Sequence, residues 1–166
     1  MPTPGLFREI CALADQARTQ PRAQTDASAL QLSKKRFWKM GQGTIGTEDD
    51  VYEDARDNGY IALGWGGTID WSADRFSSFN AIHDEWIKQN PGNLTPSNWT
   101  QTYPFRCEMK PGDIVIVPYG NTAFRAIAEI TGDYYFVPEA EGYYAHRRPV
   151  RWLLTLDEPL PLDTII

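Results

Sequence analysis

The sequence predicts an α+β domain, with helices and single strands up to about residue 113 and an antiparallel meander of strands after it. Three observations carry that prediction. Apolar residues recur at spacings of three and four in two stretches before residue 90, which is the helical period. Beyond Pro111-Gly112-Asp113, four stretches rich in β-branched and aromatic residues follow, the first three separated by Gly120-Asn121 and Gly132-Asp133 turns. A length of 166 residues, with 42% hydrophobic and 23% charged, suits one globular domain that buries its core without staples.

Leu6, Ile10, Leu13 and Ala17 sit at helical spacing, and residues 19–33 are polar and contain Pro21. Residues 1–34 therefore read as an appended helix and a linker, ahead of a domain over 35–166. Residues 36–40 form a strand candidate, ended by the glycines of Gly41-Gln42-Gly43-Thr44-Ile45-Gly46. Thr47 suits the cap of a helix whose first turn holds Glu48, Asp49 and Asp50, and Asn58-Gly59 stops that helix. Residues 60–65 read as a second strand and Gly66-Gly67 as a turn.

A helix over about 74–89 places Phe76, Phe79, Ile82 and Trp86 on one face. Asn90-Pro91-Gly92 ends it, and Pro96 opens a short helix running to Tyr103. Residues 114–117, 123–130, 134–137 and 150–156 are the meander, which is expected to curl into a small barrel.

Charge narrows the function classes. The net charge of −6 argues against gripping duplex DNA by broad phosphate neutralisation. Its distribution is uneven: residues 1–40 hold seven basic against three acidic residues, 41–90 three against ten, and 91–166 six against nine. Basic clusters remain at Lys34, Lys35, Arg36 and Lys39, and at Arg147, Arg148 and Arg151, where a solvated surface is the plainer reading. Cys11, Cys107, His83 and His146 show neither disulfide nor metal spacing, so no metal and no cofactor is expected. No apolar run approaches the roughly 20 residues a membrane span needs, and no signal-peptide order opens the chain. The expectation is a cytoplasmic protein without a membrane partner.

Catalytic patterns are thin, and no enzyme is expected. Gly41-Gln42-Gly43-Thr44-Ile45-Gly46 satisfies a GxGxxG string between strand and helix, but Glu48, Asp49 and Asp50 would repel a pyrophosphate there. His83 reads as a packed or rim residue of its helix, and His146 as a loop residue among arginines. The carboxylates of residues 48–57 read as a solvated helix face, with no acid and base pair among them.

Aromatic content is the outstanding feature, with six tryptophans. Trp86 and Trp152 fit packing positions in a helix and a strand. Trp65 and Trp71 lie instead beside polar or glycine positions near the end of the second strand. A π-face there suits a stacked base, and closure of a barrel end is the competing reading.

Five segments in order carry a resemblance. They are residues 37–42 (FWKMGQ), 60–65 (YIALGW), 109–115 (MKPGDIV), 126–134 (AIAEITGDY) and 146–152 (HRRPVRW). Over residues 35–157 the chain resembles the EVE and YTH branch of the PUA-like superfamily, and most of all the N-terminal modified-DNA-binding domains of McrB-type restriction proteins. The resemblance implies a curved β-barrel flanked by helices, with a pocket for a base flipped out of duplex DNA or an unpaired base in RNA.

It further implies Trp65 as a cage wall and Gln42 as an edge-reading group. Trp71 and Asp70 would supply a second wall and an acceptor, Trp99 competes with Trp71 for that wall, and Trp38 and Tyr119 complete the base-binding candidates. Lys39, His146, Arg147 and Arg148 would meet the flanking phosphates. The implied partners are modified double-stranded DNA and an effector GTPase or nuclease domain, in a type IV restriction system. An RNA-binding module is the alternative, an enzyme acting on a nucleotide a third reading, and a domain whose tryptophans merely pack a fourth.

Overall fold

The computed structural model describes residues 35–93, 95–138, 140 and 144–161. The helix and linker expected over 1–34 lie outside them. The chain is α+β, with a mixed sheet in the strand order β1-β3-β4-β6-β2 and β5 beside β6. Its described residues divide into two compact units, the first built from those of 35–41, 114–129 and 152–161, the second from those of 42–113 and 130–151.

In the first unit, β1 (Phe37–Lys39) runs parallel to β3 (Ile114–Tyr119), pairing Trp38 with Val115. The sequence predicts antiparallel pairing for the strands after residue 113 and assigns the first strand no partner. A parallel neighbour requires a long crossover, which residues 40–113 supply. β3 then pairs antiparallel with β4 (Ala123–Ile130) across a tight turn in which Gly120 takes a φ of 63°. The register shifts between Val117 and Pro118, where proline has no N–H to give the ladder. Ile114, Phe124 and Ile127 form the buried centre, with Phe37, Ile116, Leu153, Leu154, Leu156 and Leu160 packed on it.

In the second unit, α1 (Asp49–Asn58) buries Tyr52 and Ala55 and ends at Gly59, whose φ of 70° makes the left-handed stop read from Asn58-Gly59. The helix begins one residue later than foreseen, and Thr47 does not cap it. The Glu48 and Asp49 carboxylates fold back to accept the Thr44 and Gly46 N–H groups, each at 2.9 Å. β2 (Tyr60–Leu63) is buried along its whole length and pairs antiparallel with the first residues of β6 (His146–Pro161). β5 (Tyr135–Phe136) pairs with the same residues of β6.

The helix foreseen over 74–89 is split. Asp74–Phe76 forms a 3-10 turn, and α2 (Phe79–Gln89) starts afresh because Ser78 is extended and its hydroxyl caps the Ala81 N–H at 3.2 Å. α3 (Ser97–Thr100) leads to a π-helical stretch over Pro104–Glu108. Ile69, Trp71, Phe76, Ile82 and Trp86 form the unit's core. Among the described residues no helix is long and apolar enough to cross a membrane.

Candidate ligand-binding site

The end of β2 is where sequence and structure meet. Trp65 follows the strand and keeps 42% of its surface exposed, one of four large hydrophobic side chains open to this degree among the described residues. The next two residues, Gly66 and Gly67, take φ of 101° and 63°, which L side chains rarely adopt. A Cβ at Gly66 would sit 2.9 Å from His146 Nε2 and 3.1 Å from Thr102 Oγ1. Glycine there lets the loop lie directly on buried polar side chains.

Those side chains pin the loop from behind. The Trp71 indole N–H donates to the Gly66 carbonyl at 3.0 Å. His146 Nε2 lies 2.8 Å from the Gly67 carbonyl, and Nδ1 lies 2.8 Å from the Tyr134 hydroxyl. A carbonyl only accepts, so the Nε2 nitrogen carries the proton and Nδ1 accepts from Tyr134. The Tyr134 oxygen accepts in turn from the Trp71 backbone N–H at 3.4 Å. One step upstream, Gln42 holds β2 itself: Nε2 donates to the Ala62 carbonyl at 3.0 Å, and Oε1 accepts the Ala62 N–H at 2.8 Å.

Four candidates therefore need correcting. Trp71 and Gln42 are fully buried, so the first is core rather than a cage wall and the second gives its amide to β2 rather than to a base edge. His146 and Arg148, expected in a loop against phosphates, stand in β6 and are 0% and 1% exposed. Arg148 donates to three backbone carbonyls, those of Phe105 at 2.6 Å, Arg106 at 2.9 Å and Gly132 at 3.0 Å. The alternation of buried His146, Arg148 and Val150 with more open Arg147, Pro149 and Arg151 is that of a strand.

The remaining candidates are placed as follows. Asp70 is exposed, and its Oδ1 accepts from the Ser72 N–H and hydroxyl in a local turn. Trp99 is half-buried, in edge-to-face contact with Phe79 and His83 at ring-centroid distances of 5.1 Å and 4.6 Å. Arg147 is half-buried, its guanidinium 4.0 Å over the Tyr60 ring and its Nε donating to the Tyr144 carbonyl at 3.1 Å. Trp38, Lys39 and Tyr119 belong to the first unit: Lys39 is exposed, Arg36 stacks on Trp38 at 4.6 Å, and Arg125 lies 5.5 Å over Tyr119.

Sequence reasoning missed the polar roles of Tyr134, which it placed only in a strand and a motif, and of Thr102, which it placed only in a short helix. Burial is the chief cause that holds the His146 imidazole below its ordinary value of 6.5. The unfolded chain thus binds a proton near pH 6.5 that the native state refuses until lower pH. Stability is expected to fall as pH drops from 6.5 towards the native value, by at most ~1.4 kcal/mol per pH unit. Urea midpoints of the wild type and His146→Gln between pH 7.5 and 5 check this. Equal slopes in both proteins would sink it.

The fold and the site define an α+β domain that presents an exposed indole on a backbone fixed from behind by buried polar side chains. The family model described as Domain of unknown function (DUF8426) matches residues 38–166, and the chain belongs to that family. No curated protein and no solved structure matches it.

Proposed function

We propose that this domain is a PUA-like reader of modified DNA, of the EVE and YTH type, which captures a modified cytosine or adenine flipped out of the duplex. The observation that carries the reading is Trp65, 42% exposed on a loop whose two following carbonyls are tied down by Trp71 and His146. An open indole carried on a pinned loop leaves little backbone to order when a flat ring stacks on it. Arg147 is the phosphate candidate of the second unit that is not fully buried, and a net charge of −6 matches modest affinity for an isolated duplex. Tethering to an oligomeric effector GTPase or nuclease of a cytoplasmic type IV restriction system would raise that affinity by multivalency. Binding is the whole activity in this reading, and no catalytic step is assigned.

The deciding experiment titrates the full chain at fixed salt with matched duplexes carrying 5-methylcytosine, 5-hydroxymethylcytosine, N6-methyladenine or no modification. Single-stranded RNA of the same sequence runs beside them. A preference for one modified duplex is expected, and Trp65→Ala should weaken it by about 1–3 kcal/mol. Equal binding to all duplexes refutes the reading, and tight binding to RNA alone replaces it with the RNA-binding alternative.

A further inference from the structure

We propose that the backbone N–H groups of Gly67 and Thr68 read the edge of the captured base, donating to uncharged acceptors on it, a ring nitrogen or a carbonyl oxygen. This rests on the base-capture reading above. The side chains foreseen for that role are engaged elsewhere: the Gln42 amide holds Ala62, and Asp70 Oδ1 accepts from Ser72. The two N–H groups follow Trp65 closely in the chain, with only Gly66 between.

Their direction follows from the carbonyls. A trans peptide is planar, with its C=O and N–H on opposite sides, and no peptide bond is cis among the described residues. The Gly66 carbonyl faces the Trp71 indole N–H at 3.0 Å, so the Gly67 N–H of the same peptide points away from that indole. The Gly67 carbonyl faces His146 Nε2 at 2.8 Å, so the Thr68 N–H points away from the imidazole. Both of those side chains are fully buried. In an extended strand successive peptide groups alternate in direction. Here the left-handed φ of 63° at Gly67 turns two carbonyls in a row towards the core and two N–H groups in a row the other way. Neither N–H has a hydrogen-bond partner among the described residues, Gly67 being half-buried and Thr68 exposed. A backbone N–H shut away without a partner is costly, so these two face the open side of the loop.

Two adjacent N–H groups on one side of a turn take an acceptor, and an anion is the usual one. Charge favours a neutral acceptor here. Asp70 stands exposed two residues beyond Thr68, and its carboxylate repels a phosphate oxygen. A cation that reaches this loop, Arg106, already gives Nε to the Trp71 carbonyl at 2.8 Å and Nη2 to the Ser72 carbonyl at 3.1 Å. A base that turned an amino group to the pair would set donor against donor, so the loop selects by refusal as well as by attraction.

The amides themselves are the probe. In the isotope-labelled free chain the Gly67 and Thr68 amide protons should exchange at close to the unprotected rate, and strong protection of both would overturn the inference before any ligand is added. The labelled chain is then titrated with the modified and unmodified duplexes of the experiment above and, separately, with inorganic phosphate. The duplex that binds tightest should move both amide protons downfield and slow their exchange by about tenfold or more, and phosphate should move neither. A backbone ester at position 68, made with the hydroxy-acid counterpart of threonine, removes that N–H and keeps the side chain. It should bind the same duplex about three- to tenfold more weakly. The ester also makes the Gly67 carbonyl a poorer acceptor for His146, so an unmoved Trp71 indole N–H resonance checks that the loop keeps its place.

Unmoved amides and an ester variant that binds like the wild type, with capture still weakened in Trp65→Ala, refute the donors and leave base capture standing. Amides that move with phosphate alone make the pair an anion site and overturn the inference as well. If Trp65→Ala changes nothing, or no modified duplex is preferred, base capture itself fails and takes this inference with it.

Discussion

Trp71→Ala is expected to cost about 3–5 kcal/mol of folding stability, the range for emptying a buried aromatic site. The indole is fully buried among Ile69, Phe76, Ile82 and Trp86, with Phe76 edge-on at 5.0 Å. Alanine leaves a cavity and also strips the Gly66 carbonyl of its donor. Trp71→Phe separates the two losses, because most of the ring volume stays while the carbonyl is still orphaned, at about 1–3 kcal/mol. Trp65→Ala is the internal control. Its exposed ring leaves no cavity, and its stability should stay within about 0.5 kcal/mol of the wild type while binding suffers. Urea unfolding of the three variants reads the contrast. A loss under about 1 kcal/mol for Trp71→Ala would return that residue to the list of cage walls.

This contrast also shows how far the sequence could be read. Both tryptophans sit beside glycine or polar residues, and local composition gives an exposed indole and a buried one the same look. What separates them is a contact with Gly66, five residues back, that no periodic pattern encodes. The strands and helices whose apolar residues face the core were legible: α1 with its Gly59 stop, the β3–β4 hairpin, and the apolar face of α2.

Where a polar side chain takes a core position, the pattern hid the element. β6 begins at His146 rather than at about 150, because His146 and Arg148 occupy the inward positions of the alternation. A search for hydrophobic period two passes over them, and Pro149 adds a false break. Gln42 misled in the same way. An amide that mimics a neighbouring strand for Ala62 has no signature beyond being a glutamine between two glycines.

Arg148→Met is the sharpest test of that buried polar framework, with an expected loss of roughly 2–4 kcal/mol. Two effects oppose each other. Removing a buried cation relieves its desolvation, which by itself favours the variant. Against this, the carbonyls of Phe105, Arg106 and Gly132 lose a donor together. The first two belong to the π-helical stretch Pro104–Glu108, near whose end carbonyls have no partner within the helix, so the guanidinium serves as its cap.

The Phe105 bond is buried and cannot be replaced by solvent, whereas the other two are partly open and recover some hydration. That difference places the loss below the sum of three full penalties. Methionine keeps the stem's bulk, so packing loss is small, and the urea midpoint should fall at constant m-value. Arg148→Lys should recover only part of it, since a compact ammonium cannot span three carbonyls that a planar fork reaches at once. A methionine variant as stable as the wild type would mean that the desolvation gain wins, and that Arg148 is kept for something other than holding the fold.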